Sequence, residues 1–198
     1  QLRGKGTYFK QVAGVRTNAK VSVLVDGDCQ AADTGELQLT NYGISGIPVF
    51  QISRFAAKAL KEKKLVEAEI DFFPEADDNE FCILMEERKR QHADRTAEDF
   101  FVGIFNRKLS ELFLKQAYIP LHIKASEIRS DKWEKLFSLC KHFQVEIEET
   151  NPFEQAQVCA GGVRTDMINP ATMESVLVKD LYITGELMDI DGICGGYN

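Results

Sequence analysis

The chain has 198 residues, 44% hydrophobic and 28% charged, which is enough apolar material for one large domain or two small ones. A formal net charge of −7 excludes a generally basic, phosphate-coating surface and argues against nucleic acid as a default partner.

Taken in chain order, residues 1–47 read as β-rich. Lys20–Val25 is a strand, and Asp26-Gly27-Asp28 is a hairpin turn. Glu36–Thr40 alternates polar and apolar with a strand's period of two. Pro48 suits a first helical turn, with Val49, Ile52, Phe55, Ala56 and Ala59 on one face. Val66–Phe73 reads as a strand. Asp77 or Asp78 is positioned to cap a helix burying Phe81, Leu84 and Met85. Thr96 stands at capping distance from Asp99, ahead of Phe100, Phe101, Ile104 and Phe105, and Asn106 caps a further helix through Leu109, Leu112 and Phe113.

Beyond that point the pattern is mixed. Leu121–Lys124 and Gln144–Glu149 are strand candidates, and Ser130 opens a helix with Trp133, Leu136, Phe137, Cys140 and Phe143 along one stripe. Gln155–Ala160 reads as a strand ending in Gly161-Gly162, and Leu181–Thr184 as a short strand leading into Gly185. The expected fold class is α+β: a β-barrel or sheet built from both ends of the chain (1–47 and 119–165), with a mainly helical bundle inserted (48–118).

The five cysteines are scattered without a Cys-x-x-Cys pair, which fits a reducing, cytoplasmic setting, and the three histidines lack metal-ligand spacing. No apolar run approaches the ~20 residues of a membrane helix, so no membrane partner is expected. The chain opens on Gln1-Leu2-Arg3-Gly4 without an initiator methionine and reads as a fragment.

The chemistry-bearing features concentrate at the C-terminal end. Gly4-Lys5-Gly6 lacks the third glycine of a dinucleotide loop and no strand precedes it. No Gly-x-Ser-x-Gly elbow is present either. By contrast, Gly161-Gly162 lets a backbone lie against a planar ring or a ligand. Gly185-Glu186 places a carboxylate just after a strand, suited to sugar or polyol hydroxyls. Gly195-Gly196 would aim amide N–H groups at an anionic or carbonyl oxygen. Thr172, Glu174 and Ser175 lie between the glycine motifs, where satisfying loop backbone is their expected task. Cys159 and Cys194 flank glycines, and buried structural thiols are the expectation there.

Gly35-Glu36-Leu37-Gln38-Leu39-Thr40-Asn41-Tyr42-Gly43-Ile44-Ser45-Gly46 resembles a signature of bacterial NAD(P)/FAD-dependent oxidoreductases of the aminoacetone-oxidase type. Ala156–Val163, Thr172–Ser175 and Leu181–Asn198 match further motifs of that family in order. Asn41 stands where the family often has histidine, and Ile47 separates Gly46 from Pro48. The resemblance implies a glutathione-reductase-like FAD protein of which this chain is the barrel-and-helix insert and, over residues 166–198, the return into the FAD domain. It implies that Glu186 binds flavin ribityl or ribose hydroxyls, that Gly161 and Gly162 lie near the isoalloxazine ring, and that Gly195 and Gly196 present amides to the flavin or its phosphate. Gly185, Asp189, Asp191, Gly192, Tyr197 and Asn198 would shape the same loop. On this reading FAD and an unknown small-molecule substrate are partners of the full-length protein, the fragment alone is not expected to hold FAD, and the catalytic residues stay open. The alternative is a non-catalytic binding or interaction module capping a substrate pocket.

Overall fold

The computed structural model describes residues 1–156, 160–190 and 192, which divide into two units, 1–150 and 151–198. In the first unit, six strands close a barrel: β1 (Leu2–Gly4), β2 (Arg16–Val25), β3 (Asp28–Leu39), β4 (Gly43–Gly46), β5 (Val66–Asp71) and β6 (Phe143–Thr150). Their order around the barrel is β1-β4-β3-β2-β5-β6, every pairing is antiparallel, and β6 returns to β1. Closure leaves no exposed sheet edge.

The alternation that marks these strands in the sequence is the alternation of burial. Ala19, Val21 and Val23 of β2, Val66, Ala68 and Ile70 of β5, and Phe143, Val145 and Ile147 of β6 are buried. The β2–β3 hairpin turns at Asp26-Gly27, both at positive φ (52° and 91°), the geometry of a type I′ turn whose twist matches that of the strands. A short helix, α1 (Phe9–Val12), drops Phe9 and Val12 into the core. Helix α2 (Ile47–Lys61) starts with Pro48 in its first turn and packs Val49, Ile52, Ala56 and Ala59 against the barrel, touching β2 through β6.

Between β5 and β6 lie the remaining helices: α3 (Asp78–Gln91), α4 (Ala97–Phe100), α5 (Arg107–Gln116) and α6 (Ser130–Lys141). Asp77 caps α3 in a reciprocal capping box. Its carboxylate accepts from the Glu80 amide at 2.8 Å, while the Glu80 carboxylate accepts from the Asp77 amide at 3.0 Å. Thr96 and Asn106 cap α4 and α5 as their sequence positions predict. An aromatic cluster welds the layer together. Phe72 meets Phe113 and Phe143 edge-on at 5.2 and 5.9 Å, and Phe100 lies 4.6 Å from Trp133.

Strand β5 and helix α6 form where the sequence places a strand and a helix from Ser130, with β5 joining the barrel and α6 packing on α3 and α5. Other elements differ from the sequence expectation. Leu84 is 46% exposed, because α3 turns only Phe81 and Met85 inward. Leu121–Lys124 forms turns and a single antiparallel bridge, Lys124 to Thr96, rather than a strand. The closed barrel has no edge to pair it, and its carbonyls serve helix α4 instead: Ala97 N–H donates to Ile123 O (2.8 Å) and Glu98 N–H to Leu121 O (3.0 Å). Phe153–Gln155 is a 3₁₀ turn where a strand was expected to begin, and Gln157–Cys159 lie outside the described residues. Leu181–Thr184 makes a single bridge, Tyr182 to Glu174, too little pairing for a strand. Among the described residues, no helix is long and apolar enough to cross a membrane.

Candidate functional site

The second unit brings together two of the glycine motifs singled out in the sequence. Val163 and Met188 form a parallel bridge, in which Val163 N–H donates to Leu187 O (2.7 Å) and Asp189 N–H donates to Val163 O (2.9 Å). Gly162 makes this approach possible. A Cβ there would stand 2.6 Å from Leu187 O, 2.7 Å from Met188 C and 2.9 Å from Asp189 N, all of them backbone atoms. Gly161 (φ +100°) and Gly185 (φ +68°) adopt conformations that L side chains avoid, and the space where their side chains would stand is open.

Gly185 opens a 3₁₀ turn, Gly185–Leu187, closed by Met188 N–H donating to Gly185 O at 3.1 Å. That turn holds Glu186 exposed, and Asp189 is exposed just beyond it. Gly192 is half-buried. Asp191, Gly195, Gly196, Tyr197 and Asn198 lie outside the described residues, as do Cys159 and Cys194.

The loop between the glycine motifs is held by its own side chains. The Asn169 side-chain oxygen accepts from Ala171 N–H (2.9 Å), and Thr172 Oγ1 accepts from Glu174 N–H (3.3 Å). Ser175 Oγ accepts from both Leu177 and Val178 N–H (3.2 Å each), and the Glu174 carboxylate from Asp180 N–H (2.8 Å). Thr172, Glu174 and Ser175 are therefore spent on backbone donors. Arg164 pairs through two nitrogens with Asp166. Among the described residues of this unit the one buried hydrophobic is Ile168. Val176, Leu177, Val178, Leu181, Tyr182, Leu187 and Ile190 are all exposed, a density of apolar surface that marks contact sites.

The barrel-and-helix unit carries a polar constellation that sequence reasoning missed. Lys141, only 5% exposed, donates from its ammonium to Asp71 Oδ2 (2.7 Å), Phe73 O (2.9 Å) and Ala76 O (2.5 Å). The signal was present: Lys141 falls on the apolar stripe of α6, where a lysine must find internal partners. Next to it, His142 lies 3.0 Å from Asp78 and 3.6 Å from Glu69. These residues line an open cavity of about 660 Å³ together with Lys20, Glu75 and Asp77. A second cavity of about 550 Å³ lies between α3 and α6 beside Phe81, Cys82 and Lys89. Burial pushes the Cys140 thiol well above its usual range, so that thiol is inert packing. Among the described residues, no group of His, Cys, Asp and Glu could hold a metal ion.

Comparison with known proteins adds to this geometry. Residues 3–158 match the family model described as the HI0933-like protein barrel and H2TH domain. The whole chain is 46% identical over 202 residues to a 3-dehydro-bile acid delta(4,6)-reductase of Clostridium scindens, covering 48% of that protein. It is 29% identical to ribosomal RNA dihydrouridine synthases of Haemophilus influenzae (96% of the chain, 44% of the relative) and Escherichia coli (82% and 38%). The chain thus spans about half the length, or less, of these curated relatives.

Proposed function

The chain belongs to the HI0933-like family of barrel and H2TH domains, and on that premise we propose that it is the barrel-and-helix part, with its return segment, of a longer FAD-dependent oxidoreductase. The observation that carries the reading is the backbone bridge at Gly162. It joins the two glycine motifs that resemble the flavoprotein pattern and leaves Gly161, Gly185 and Glu186 on open surface. The reductase name of the 46% identical relative supports oxidoreduction as the activity of the complete protein.

The residues present fit a flavin. Open, backbone-lined glycines admit a planar ring, and an exposed carboxylate held by a tight turn suits ribityl or ribose hydroxyls. Gly161 and Gly162 would lie against the ring system, and Glu186 would accept from the hydroxyls. Asp189 would frame the same loop, with Asp191, Gly192 and Gly195–Asn198 continuing it. Bound FAD would supply the two-electron redox chemistry, and this chain would supply binding, orientation and electrostatics. The exposed apolar residues at 176–190 would be covered in the complete protein, keeping water from the flavin.

The test is flavin reconstitution of the complete protein and, separately, of the 198-residue chain. The expected result is a stoichiometric flavin absorption spectrum for the complete protein and none for the chain alone. A complete protein that stays colourless after reconstitution would overturn the flavin assignment. A chain that purifies yellow on its own would overturn the division of the site.

A further inference from the structure

Helices α3 and α6 leave between them the second cavity, about 550 Å³, within the size range of small-molecule sites. Its walls are two ridges at helical spacing: Cys82, Glu86 and Lys89 on α3, and Ser130, Glu134 and Ser138 on α6. Its floor is aromatic. Phe81 and Phe137 meet edge-on at 6.0 Å, and Trp133 lies 5.4 Å from Phe137.

The chain's own cation stands over that floor. The Lys89 ammonium lies 5.2 Å from the Trp133 ring centroid and 6.0 Å from that of Phe137, the distance over which a ring face attracts positive charge. Its hydrogen-bond partner is Glu86 Oε1 at 2.7 Å. Contacts of both kinds are weak near water, and the Lys89 side chain is 24% exposed, so it can swing into solvent at little cost. Lys141, which also lines the cavity, has three oxygen acceptors, the arrangement a primary ammonium requires. The Lys89 position offers ring faces and a carboxylate instead, which suits a cation with no N–H to satisfy. Charge agrees with this. Asp71 neutralises Lys141, Asp78 stands 3.0 Å from His142, and Glu86 faces Lys89. The Glu134 side chain has no hydrogen bond or ion pair among the described residues, so the lining carries surplus negative charge.

We propose that this cavity binds a quaternary ammonium compound with an apolar body. The cationic head takes the Lys89 position over Trp133 and Phe137, and Lys89 moves out to solvent. Glu86, released by Lys89, and Glu134 then face the head, while the apolar body lies between the two helices beside Cys82. Aromatic faces combined with carboxylates recognise such a head without hydrogen bonds, through the ring quadrupoles and diffuse negative charge. An anionic ligand would meet the carboxylates of Asp78, Glu86 and Glu134 instead. The proposal is independent of the flavin reading, because every residue it uses lies in the barrel-and-helix unit.

The experiment uses Cys82 as reporter, because it is exposed and lines the cavity, and Cys29, exposed on the β2–β3 hairpin, as internal control. The complete protein is alkylated with iodoacetamide at constant ionic strength, with benzyltrimethylammonium, benzylammonium or phenylacetate present. Peptide mapping follows the rate at each cysteine. Benzyltrimethylammonium is expected to slow Cys82 in a saturable way and leave Cys29 unchanged, with benzylammonium weaker and phenylacetate without effect. Lys89→Ala removes the internal competitor and is expected to tighten binding about fivefold, whereas Glu134→Gln is expected to weaken it about threefold. Circular dichroism and melting establish that the variants are folded, and the exposed Glu134 keeps the test open if Lys89→Ala does not fold. Four results would each overturn the proposal. One is no protection of Cys82 up to about 10 mM benzyltrimethylammonium, ten times a Kd of about 1 mM. The others are equal protection by phenylacetate, equal protection by benzylammonium, and unchanged affinity in the folded variants.

Discussion

Gly162→Ala tests the geometry on which the candidate site rests. Gly162 has no φ that a side chain would forbid, so the effect of alanine is purely one of space. The added methyl would stand 2.6 Å from Leu187 O and 2.7 Å from Met188 C, and neither atom is a flexible side-chain end able to swing aside. The two backbone segments of the bridge must separate. The hydrogen bonds from Val163 N–H to Leu187 O and from Asp189 N–H to Val163 O would then be lost. At about 1 kcal/mol net each, the bridge loses about 2 kcal/mol, or about 30-fold in its local closing equilibrium. Amide hydrogen exchange resolved at Val163 and Asp189 reads this directly, with a fall in protection of that order expected at both. In the complete protein, flavin affinity should fall with it. Gly35→Ala is the control, because its methyl would meet only the Pro48 ring, Cδ at 3.4 Å and Cγ at 4.0 Å, ordinary contacts. If both amides keep their protection in Gly162→Ala, the close approach does not hold the site together and the reasoning fails.

Lys141→Met strips Asp71 and two carbonyls of a buried donor and should cost about 3–5 kcal/mol in urea unfolding. A loss below about 1 kcal/mol would mean that the cation is dispensable. Burial beside Phe9 and Phe143 pushes the Tyr8 hydroxyl up to about 12, against about 10 in the unfolded chain. The folded state therefore holds the proton longer, and Tyr8 draws stability down as pH rises from about 10 to about 12. Tyr8→Phe should flatten that fall by on the order of 1–2 kcal/mol, and parallel urea curves for the two proteins at pH 9 and pH 11 would refute it. Native alkylation with peptide mapping should modify the exposed Cys29 and Cys82 and spare Cys140 until the chain unfolds.

The elements legible in the sequence were those whose signal is local. The Asp26-Gly27 turn, the caps at Asp77, Thr96 and Asn106, and the period-two burial of β5 and β6 each follow from a few neighbouring residues. What failed depended on partners distant in sequence. Leu121–Lys124 has a strand's composition, but the closed barrel offers it no edge, and its carbonyls go to α4. Leu84 continues the apolar spacing of Phe81, yet it lies on the exposed side of α3. The barrel itself was foreseeable as a class, whereas the use of β5 as the bridge between β2 and β6 was not.

The candidate site divides the same way, for a physical reason. Glycine pairs advertise close approach, but a sequence does not say what approaches. At Gly162 the neighbour is the chain's own backbone at 187–189, so this glycine builds the site. At Gly161 and Gly185 nothing among the described residues lies within 4 Å of the missing side chain, so there is open space for a ligand. The distinction predicts opposite responses. A side chain at Gly162 damages the fold of the segment whether or not flavin is present. At Gly161 or Gly185 it costs roughly 1–2 kcal/mol of backbone strain and, beyond that, acts on flavin affinity alone. Comparing apo-protein melting with flavin affinity across the three alanine variants separates the scaffold glycine from the two proposed to face the flavin.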